Sequence, residues 1–170
     1  MKNNTGMSRK VDELGRIVIP KEIRYNLGIR DGEPLEIFVN DNSIVIKKYS
    51  QIENLKSISA KICEIISEVF NIEMLITDRE KIITSSKKLS NLNNIFLGEI
   101  HKKLIDQRET YQSTIKEKMF DVEGYFTIMP IITSIDCSGL IFIISNEQNK
   151  ENIKYAKIVQ KLIIQKLDIT

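Results

Sequence analysis

Five cations crowd the start of a 170-residue chain: Arg9, Lys10, Arg16, Lys21 and Arg24. A guanidinium fork holds a phosphate bidentately or reaches base acceptors in a groove, and a lysine adds a compact positive charge. Residues 1–24 carry six basic and three acidic side chains, an excess of +3, while residues 51–170 carry sixteen of each. The whole chain has a formal charge of only +2, so the positive excess is local. A local patch of this kind can govern phosphate binding when total charge is modest. The competing reading is that the arginines neutralise Asp12, Glu13 and Glu22 as surface pairs. Such pairs contribute about 0–1 kcal/mol and explain little of the clustering.

Other chemistry finds few residues to carry it. The single histidine, His101, stands beside Lys102 and Lys103 and reads as a solvated surface side chain. No Ser/His/Asp set can be built without it. Asp78 and Glu80 fall in a predicted turn, where carboxylates are common. Cys63 and Cys137 lie in apolar contexts, form no CxxC or Cys/His cluster, and read as buried free thiols of a reducing compartment. Metal-ligand spacing and phosphate-cradling glycine motifs are missing. The sequence therefore predicts a non-enzyme with no catalytic residues, no metal and no cofactor. Its polar N-terminus and the lack of a membrane-length apolar run predict a soluble cytoplasmic protein.

The elements that must position the cations come in quick succession. Ser8–Val11 and Arg16–Ile19 read as strands around the turn Asp12-Glu13-Leu14-Gly15, where Gly15 supplies a positive φ. Pro20 stops the second strand and suits the first helical position. Lys21–Leu27 reads as a short helix with Ile23 and Leu27 inward, and Gly28 ends it. Pro34–Asn40 alternates with a period of two, Asp41-Asn42 turns, and Ser43–Lys48 returns. Residues 8–48 are thus ββαββ, 41 residues without disulfide or metal. That is too small for a self-sufficient core, and it predicts an obligate dimer in which two copies share one.

The run VDELGRIVIPKEIR, followed by GIRDGEPLEIFVN and IVIKKYS, resembles the AbrB family of bacterial transition-state regulators, in particular its two-domain sporulation type. The resemblance covers residues 5–50. It implies a mixed α+β chain, with a dimeric swapped-hairpin β-barrel over 1–50 and a GAF-like α/β regulatory and oligomerisation domain over 51–170. It also implies double-stranded, AT-rich DNA as partner, a homodimer through the first domain, a tetramer through the second, and a place at the nucleoid. The family's DNA-contacting arginines fall on Arg9, Arg16 and Arg24, with Lys10 and Lys21 as secondary phosphate contacts. Tyr25 stands where the family has a further arginine. A single short helix, with no second recognition helix, implies readout by backbone contacts and DNA shape.

In the second half, Ile52, Leu55, Ile58, Ile62, Ile65, Ile66 and Val69 repeat at helical spacing, as core packing or as a dimer seam. Glu73–Thr77 and Lys81–Ser85 read as a hairpin. Leu89–Ile105 reads as largely helical, with Leu92, Ile95, Phe96 and Ile100 inward. Gln107–Glu123 reads as one strand and a loop, Gly124–Ile132 and Gly139–Ser145 as buried central strands, and Asn149–Asp168 as a closing helix. Two roles stay open for this half: sensing an unidentified small-molecule effector, or purely structural doubling of dimers. The function predicted is a sequence-tolerant activator or repressor of sporulation genes. Its rivals are an antitoxin of the same barrel class and a small-molecule sensor acting on a protein partner.

Overall fold

A turn built by one aspartate opens the chain. The computed structural model describes residues 7–133 and 136–167, so most of the N-terminal arm 1–7 and Asp168 lie outside the described residues. Asp12 Oδ1 accepts hydrogen bonds from the N–H groups of Leu14 (3.0 Å) and Arg16 (2.8 Å), and Gly15 takes φ +77°. Arg16 Nε donates to Asp12 Oδ2 at 2.7 Å. The Arg16 backbone N–H and then its side chain hold the Asp12 carboxyl below its usual 3.8.

Helix α1 spans Lys21–Asn26. Pro20 stands just before it, one residue earlier than the sequence predicts, and its carbonyl accepts from Arg24 N–H at 3.0 Å. The helix ends on Gly28 at φ +61°. There the Gly28 N–H reaches the Tyr25 carbonyl (3.1 Å) and the Ile29 N–H reaches the Arg24 carbonyl (2.7 Å), the paired bonds of a Schellman stop. Strands β1 (Leu35–Asn40) and β2 (Ser43–Lys48) then form a hairpin from Leu35↔Lys48 to Asn40↔Ser43. Its two-residue loop starts with Asp41 at φ +49°.

Two sequence expectations change in this unit. Ser8–Val11 and Arg16–Ile19 carry no strand ladder; one bond from Asp12 N–H to the Arg16 carbonyl, 3.1 Å, closes their turn. Leu27, expected to face inward, is exposed. Both have the same cause: the described residues 7–49 include not one that is buried, so no core exists within a single copy. Val18, Tyr25 and Val39 remain 74, 84 and 81% exposed.

The chain divides between Tyr49 and Ser50 into two compact units. The second starts with α2 (Gln51–Asn54), capped by Ser50 Oγ accepting from Glu53 N–H at 3.1 Å, and α3 (Lys56–Phe70). The expected single helix is therefore broken at Leu55. A six-stranded antiparallel sheet follows: β3 (Glu73–Thr77), β4 (Ile82–Ser85), β5 (Tyr111–Gln112), β6 (Glu117–Met119), β7 (Val122–Ile132) and β8 (Cys137–Ser145), in the order β4-β3-β8-β7-β5 with β6 on β7. Helix α5 (Asn152–Leu167) closes the chain.

Both faces of the sheet are covered, which is why its middle strands are apolar at nearly every position. Met74, Ile76, Met129, Ile131, Ile141 and Ile143 pack under α3 and α5. Leu75, Phe126, Ile128, Leu140 and Phe142 pack on the other face with Leu89, Leu92, Leu97 and Ile105. The stripe of α2 and α3 divides: Ile52 and Leu55 are buried and Ile62 and Ile66 half-buried on the core, while Ile58, Ile65 and Val69 face outward.

Leu89–Ile105 is not one helix. A 3-10 turn over Lys87–Leu92 leads to an extended stretch, and α4 runs over Glu99–Gln107. Asn94 N–H and Ile95 C=O bond Ile82, and Leu97 N–H bonds the Glu80 carbonyl, so this backbone lies along β4 and cannot coil. Leu97 turns in, and Ile95, Phe96 and Ile100 turn out. Gln107–Glu123 supplies two short strands, β5 and β6, instead of one. His101 is also corrected: it is 6% exposed, because α4 lays its ring on Phe120 (centroids 4.8 Å apart) and against the edge of Phe142 (5.4 Å). Asp78 keeps the expected turn role, its Oδ1 accepting from Glu80 and Lys81 N–H at 2.7 and 2.8 Å. Cys63 and Cys137 are buried and unpaired, and burial pushes the Cys63 thiol up to about 12.

Two measurements check these contacts. Asp12 has a depressed folded-state pKa, so its turn should be intact above the ordinary carboxylate value of about 3.9 and lost as pH falls through the lower folded value. The amide shifts of Leu14 and Arg16 should therefore move together below about pH 4; a transition at pH 5 or above contradicts the assignment. A Cβ at Gly139 would stand 1.9 Å from the Thr77 carbonyl oxygen on β3. Gly139→Ala should cost about 3 kcal/mol or more in urea unfolding of the second unit, and a change under about 0.5 kcal/mol contradicts that close approach.

Candidate nucleic-acid interface

The five cations sit on three short pieces of one unit. Arg9 and Lys10 precede the Asp12 turn and are exposed. Arg9 donates to the neighbouring Ser8 carbonyl at 3.3 Å, a local contact that leaves the side chain at the surface. Arg16 leaves the turn on its other side, its guanidinium aimed by the Asp12 carboxylate. Lys21 is the first residue of α1, and Arg24 lies one turn further on. Arg24 Nη1 pairs with Asp31 Oδ1 at 2.5 Å, joining α1 to the turn before β1.

The contacts bring Arg16 to Asp12 and Arg24 to Asp31, and do not join the cations to one another. Of the three carboxylates expected as surface partners, Asp12 takes Arg16, whereas the carboxylate beside Arg24 is Asp31, outside that set. Both pairs are largely solvated, with side-chain exposures of 72 and 41% for Arg16 and Asp12 and 38 and 93% for Arg24 and Asp31. Such pairs hold a guanidinium in place at little energetic cost to release. An incoming phosphate, with its oxygens matched to the fork, can replace the carboxylate or share the group. Tyr25, 84% exposed beside Arg24, offers a hydroxyl and a ring without charge.

Chemically the arrangement is a set of groups that can bind anions. Asp12 and Asp31 are engaged as arginine partners, and no group of three or more His, Cys, Asp and Glu side chains that could hold a metal ion is found among the described residues. Sequence reasoning passed over two features. Lys47 lies over the Phe38 ring, 4.7 Å from its centroid, and adds a positive charge to the hairpin. The other is His101 in the second unit, whose Nδ1 accepts from the Gly98 N–H at 3.2 Å. A glycine three residues before a histidine at a helix start was the available signal for that cap. Nothing local announced the ring of Phe120. No helix of the described residues is long and apolar enough to cross a membrane.

Comparison with known proteins follows the same division. Residues 8–54 match the model of the MazE family, described as antidote-toxin recognition, bacterial antitoxin. Residues 54–167 match the C-terminal family of stage V sporulation protein T, described as a transcription factor. The chain is 34% identical over 160 residues to stage V sporulation protein T of Bacillus subtilis (strain 168), covering 89% of each. It is 59% identical over 46 residues to the transition state regulatory protein AbrB of the same organism, 27% of this chain and 48% of that one. A solved methyl-accepting chemotaxis protein, residues 122 to 287, shares the fold alone at 12% identity and a TM-score of 0.51, over 69% of this chain and 91% of that one. With one relative aligned along nearly its full length and the family's C-terminal model matched over 54–167, this chain belongs to the stage V sporulation protein T family of transcription factors.

Proposed function

We propose that this chain is a DNA-binding transcription regulator of sporulation genes, active as a homo-oligomer. The observation that carries the reading is the exposure of every described residue from 7 to 49 to at least an intermediate degree, in a segment that also bears Arg9, Lys10, Arg16, Lys21 and Arg24. A hairpin of six-residue strands and a six-residue helix cannot stand alone in water. A second copy supplies what is missing: Ile17–Ile19, in no strand ladder among the described residues, can pair with partner strands. That is the swapped-hairpin barrel, and it doubles each cation across a two-fold axis.

Six guanidinium groups and their lysine neighbours then meet the phosphates of a duplex. Readout rests on backbone contacts and deformability, which favours AT-rich sites with loose sequence preference. Residues 1–50 are the DNA-binding domain in this reading, and residues 51–170 are a GAF-like domain that joins dimers into a tetramer. The six-stranded sheet with helices on both faces supports the latter, and outward-facing Ile58, Ile65 and Val69 of α3 with Ile158 and Leu162 of α5 supply apolar surface for assembly. Two DNA-binding dimers on one body raise the effective concentration of the second contact. The protein works in the bacterial cytoplasm, at the nucleoid.

A second reading draws on the family description matched over residues 8–54, an antitoxin of the same barrel class. Such proteins end in an extended segment that wraps a toxin, whereas residues 50–167 here build a two-faced sheet. Recovery of a small stoichiometric toxin with the tagged chain would favour this second reading.

Salt titration of affinity for an AT-rich duplex separates DNA binding from action on a protein partner. The expected log–log slope is steep and negative, and Arg16→Ala should weaken binding about tenfold or more and flatten the slope by about two, one phosphate per copy. The oligomer mass of that variant should match the wild type. A flat wild-type slope removes DNA from the proposal, and unchanged binding by the variant removes Arg16 from the interface. Native mass should show a dimer or a multiple of it at micromolar concentration; a folded monomer there is incompatible with a shared core.

A further inference from the structure

His101 holds a donor that nothing among the described residues accepts. Its Nδ1 accepts the Gly98 N–H, so the ring proton sits on Nε2. Nε2 is buried with no hydrogen-bond partner, in a side chain 6% exposed. Such a group is uncommon in a folded protein and calls for an explanation. The imidazole stays neutral: burial lowers its pKa, and a second proton would have to enter at Nδ1, where the Gly98 N–H already points.

Carbon atoms of the same ring form part of the apolar wall of a cleft lined by Ile100, His101, Leu104, Tyr111, Met119 and Ile128, with about 230 Å³ of open space including its mouth, and Nε2 lies behind that wall. The enclosed part holds only about two waters, so a molecule of several non-hydrogen atoms enters when the hairpin that covers the cleft lifts. Tyr111 adds only its ring, since its hydroxyl donates to Glu117.

One wall of the cleft belongs to a structure able to move. Strand β6 has three residues and pairs only with β7, through Glu117↔Gly124 to Met119↔Val122. The turn between them places Phe120 at φ +51° and Asp121 at φ +61°, a left-handed pair of a kind usually given to Asn and Gly. Phe120 is the ring that lies on His101. A short edge hairpin with an unfavourable turn is a weakly held cover, and the side chain it lowers onto the imidazole shields the ring face.

We propose that this cleft binds a small, uncharged, largely apolar molecule whose carbonyl or hydroxyl oxygen accepts a hydrogen bond from His101 Nε2–H beneath the Phe120 hairpin. A carboxylate is disfavoured, because the lining offers no cation and one neutral donor does not compensate for burying a charge. The inference deepens the sensory reading of residues 51–170. It is independent of DNA binding, since it is read at the imidazole.

As the single histidine, His101 gives the one imidazole signal of a ¹⁵N-labelled full-length chain. Titration with isovaleramide, 3-methyl-2-butanone and isoamyl alcohol, and with isovalerate as the charged counterpart, tests the proposal. At least one neutral probe should shift Nε2–H saturably, together with the Met119 and Phe120 amides, and isovalerate should bind about tenfold or more weakly. Leu104→Phe, which fills the cleft, should abolish the shift while the sheet amides keep their positions. If that variant does not fold, Met119→Phe serves the same purpose. The proposal is overturned if no neutral probe shifts the signal up to its solubility, if the shift survives the filled cleft, if isovalerate binds best, or if Nε2–H contacts a long-lived water that no probe displaces.

Discussion

The hydrophobic effect is left unsatisfied over the first fifty residues, and the functional reading depends on that imbalance. Apolar side chains on Arg16–Ile19, α1, β1 and β2 have no interior to enter, although local structure is well specified by an Asp-built turn, a Schellman stop and a six-pair hairpin. Hydrogen bonds and turn geometry fix the pieces; they do not remove apolar area from water. A second copy of the same surface is the simplest way to do so. In the proposed dimer the cations are carried on the associating segments, so folding and the assembly of a basic surface become one event.

The second unit solves the same problem within one chain. Its middle strands β3, β7 and β8 alternate side chains between two cores, one under α3 and α5 and one with the 3-10 turn, Leu97 and α4. That arrangement needs apolar residues at successive positions, and it tolerates a close approach such as Gly139 against Thr77 where two strands meet. The α4 side also contains the one histidine, neutral and without an acceptor among the described residues, next to a short hairpin. A rigid sheet and a loosely held edge are therefore adjacent in one domain.

Arginine placement shows how structure refines a charge argument. The surface-pair reading and the phosphate reading looked like alternatives. The geometry makes them compatible: Asp12 and Asp31 pair with Arg16 and Arg24 in contacts exposed enough to be exchanged. Preorienting a guanidinium with a weak partner lowers the entropy lost when a stronger one arrives.

Residue order alone determined much of the local structure: the Asp12–Gly15 turn, the helix from Lys21 to its glycine stop, the β1–β2 hairpin, the buried β7 and β8 runs and the closing helix α5. These depend on contacts between residues near in sequence, or on patterns that repeat with the period of the element. The five candidate cations and the family were legible for the same reason, since both lie in continuous segments. What only the tertiary structure decided lies where distant segments compete for the same backbone or the same space. Asn94, Ile95 and Leu97 bond along β4 and so break an apparent helix, and Leu27 lacks a core to face because its own chain provides none. His101, flanked by lysines and read as solvated, is buried because Phe120 arrives from a hairpin nineteen residues later, a contact that no local pattern encodes.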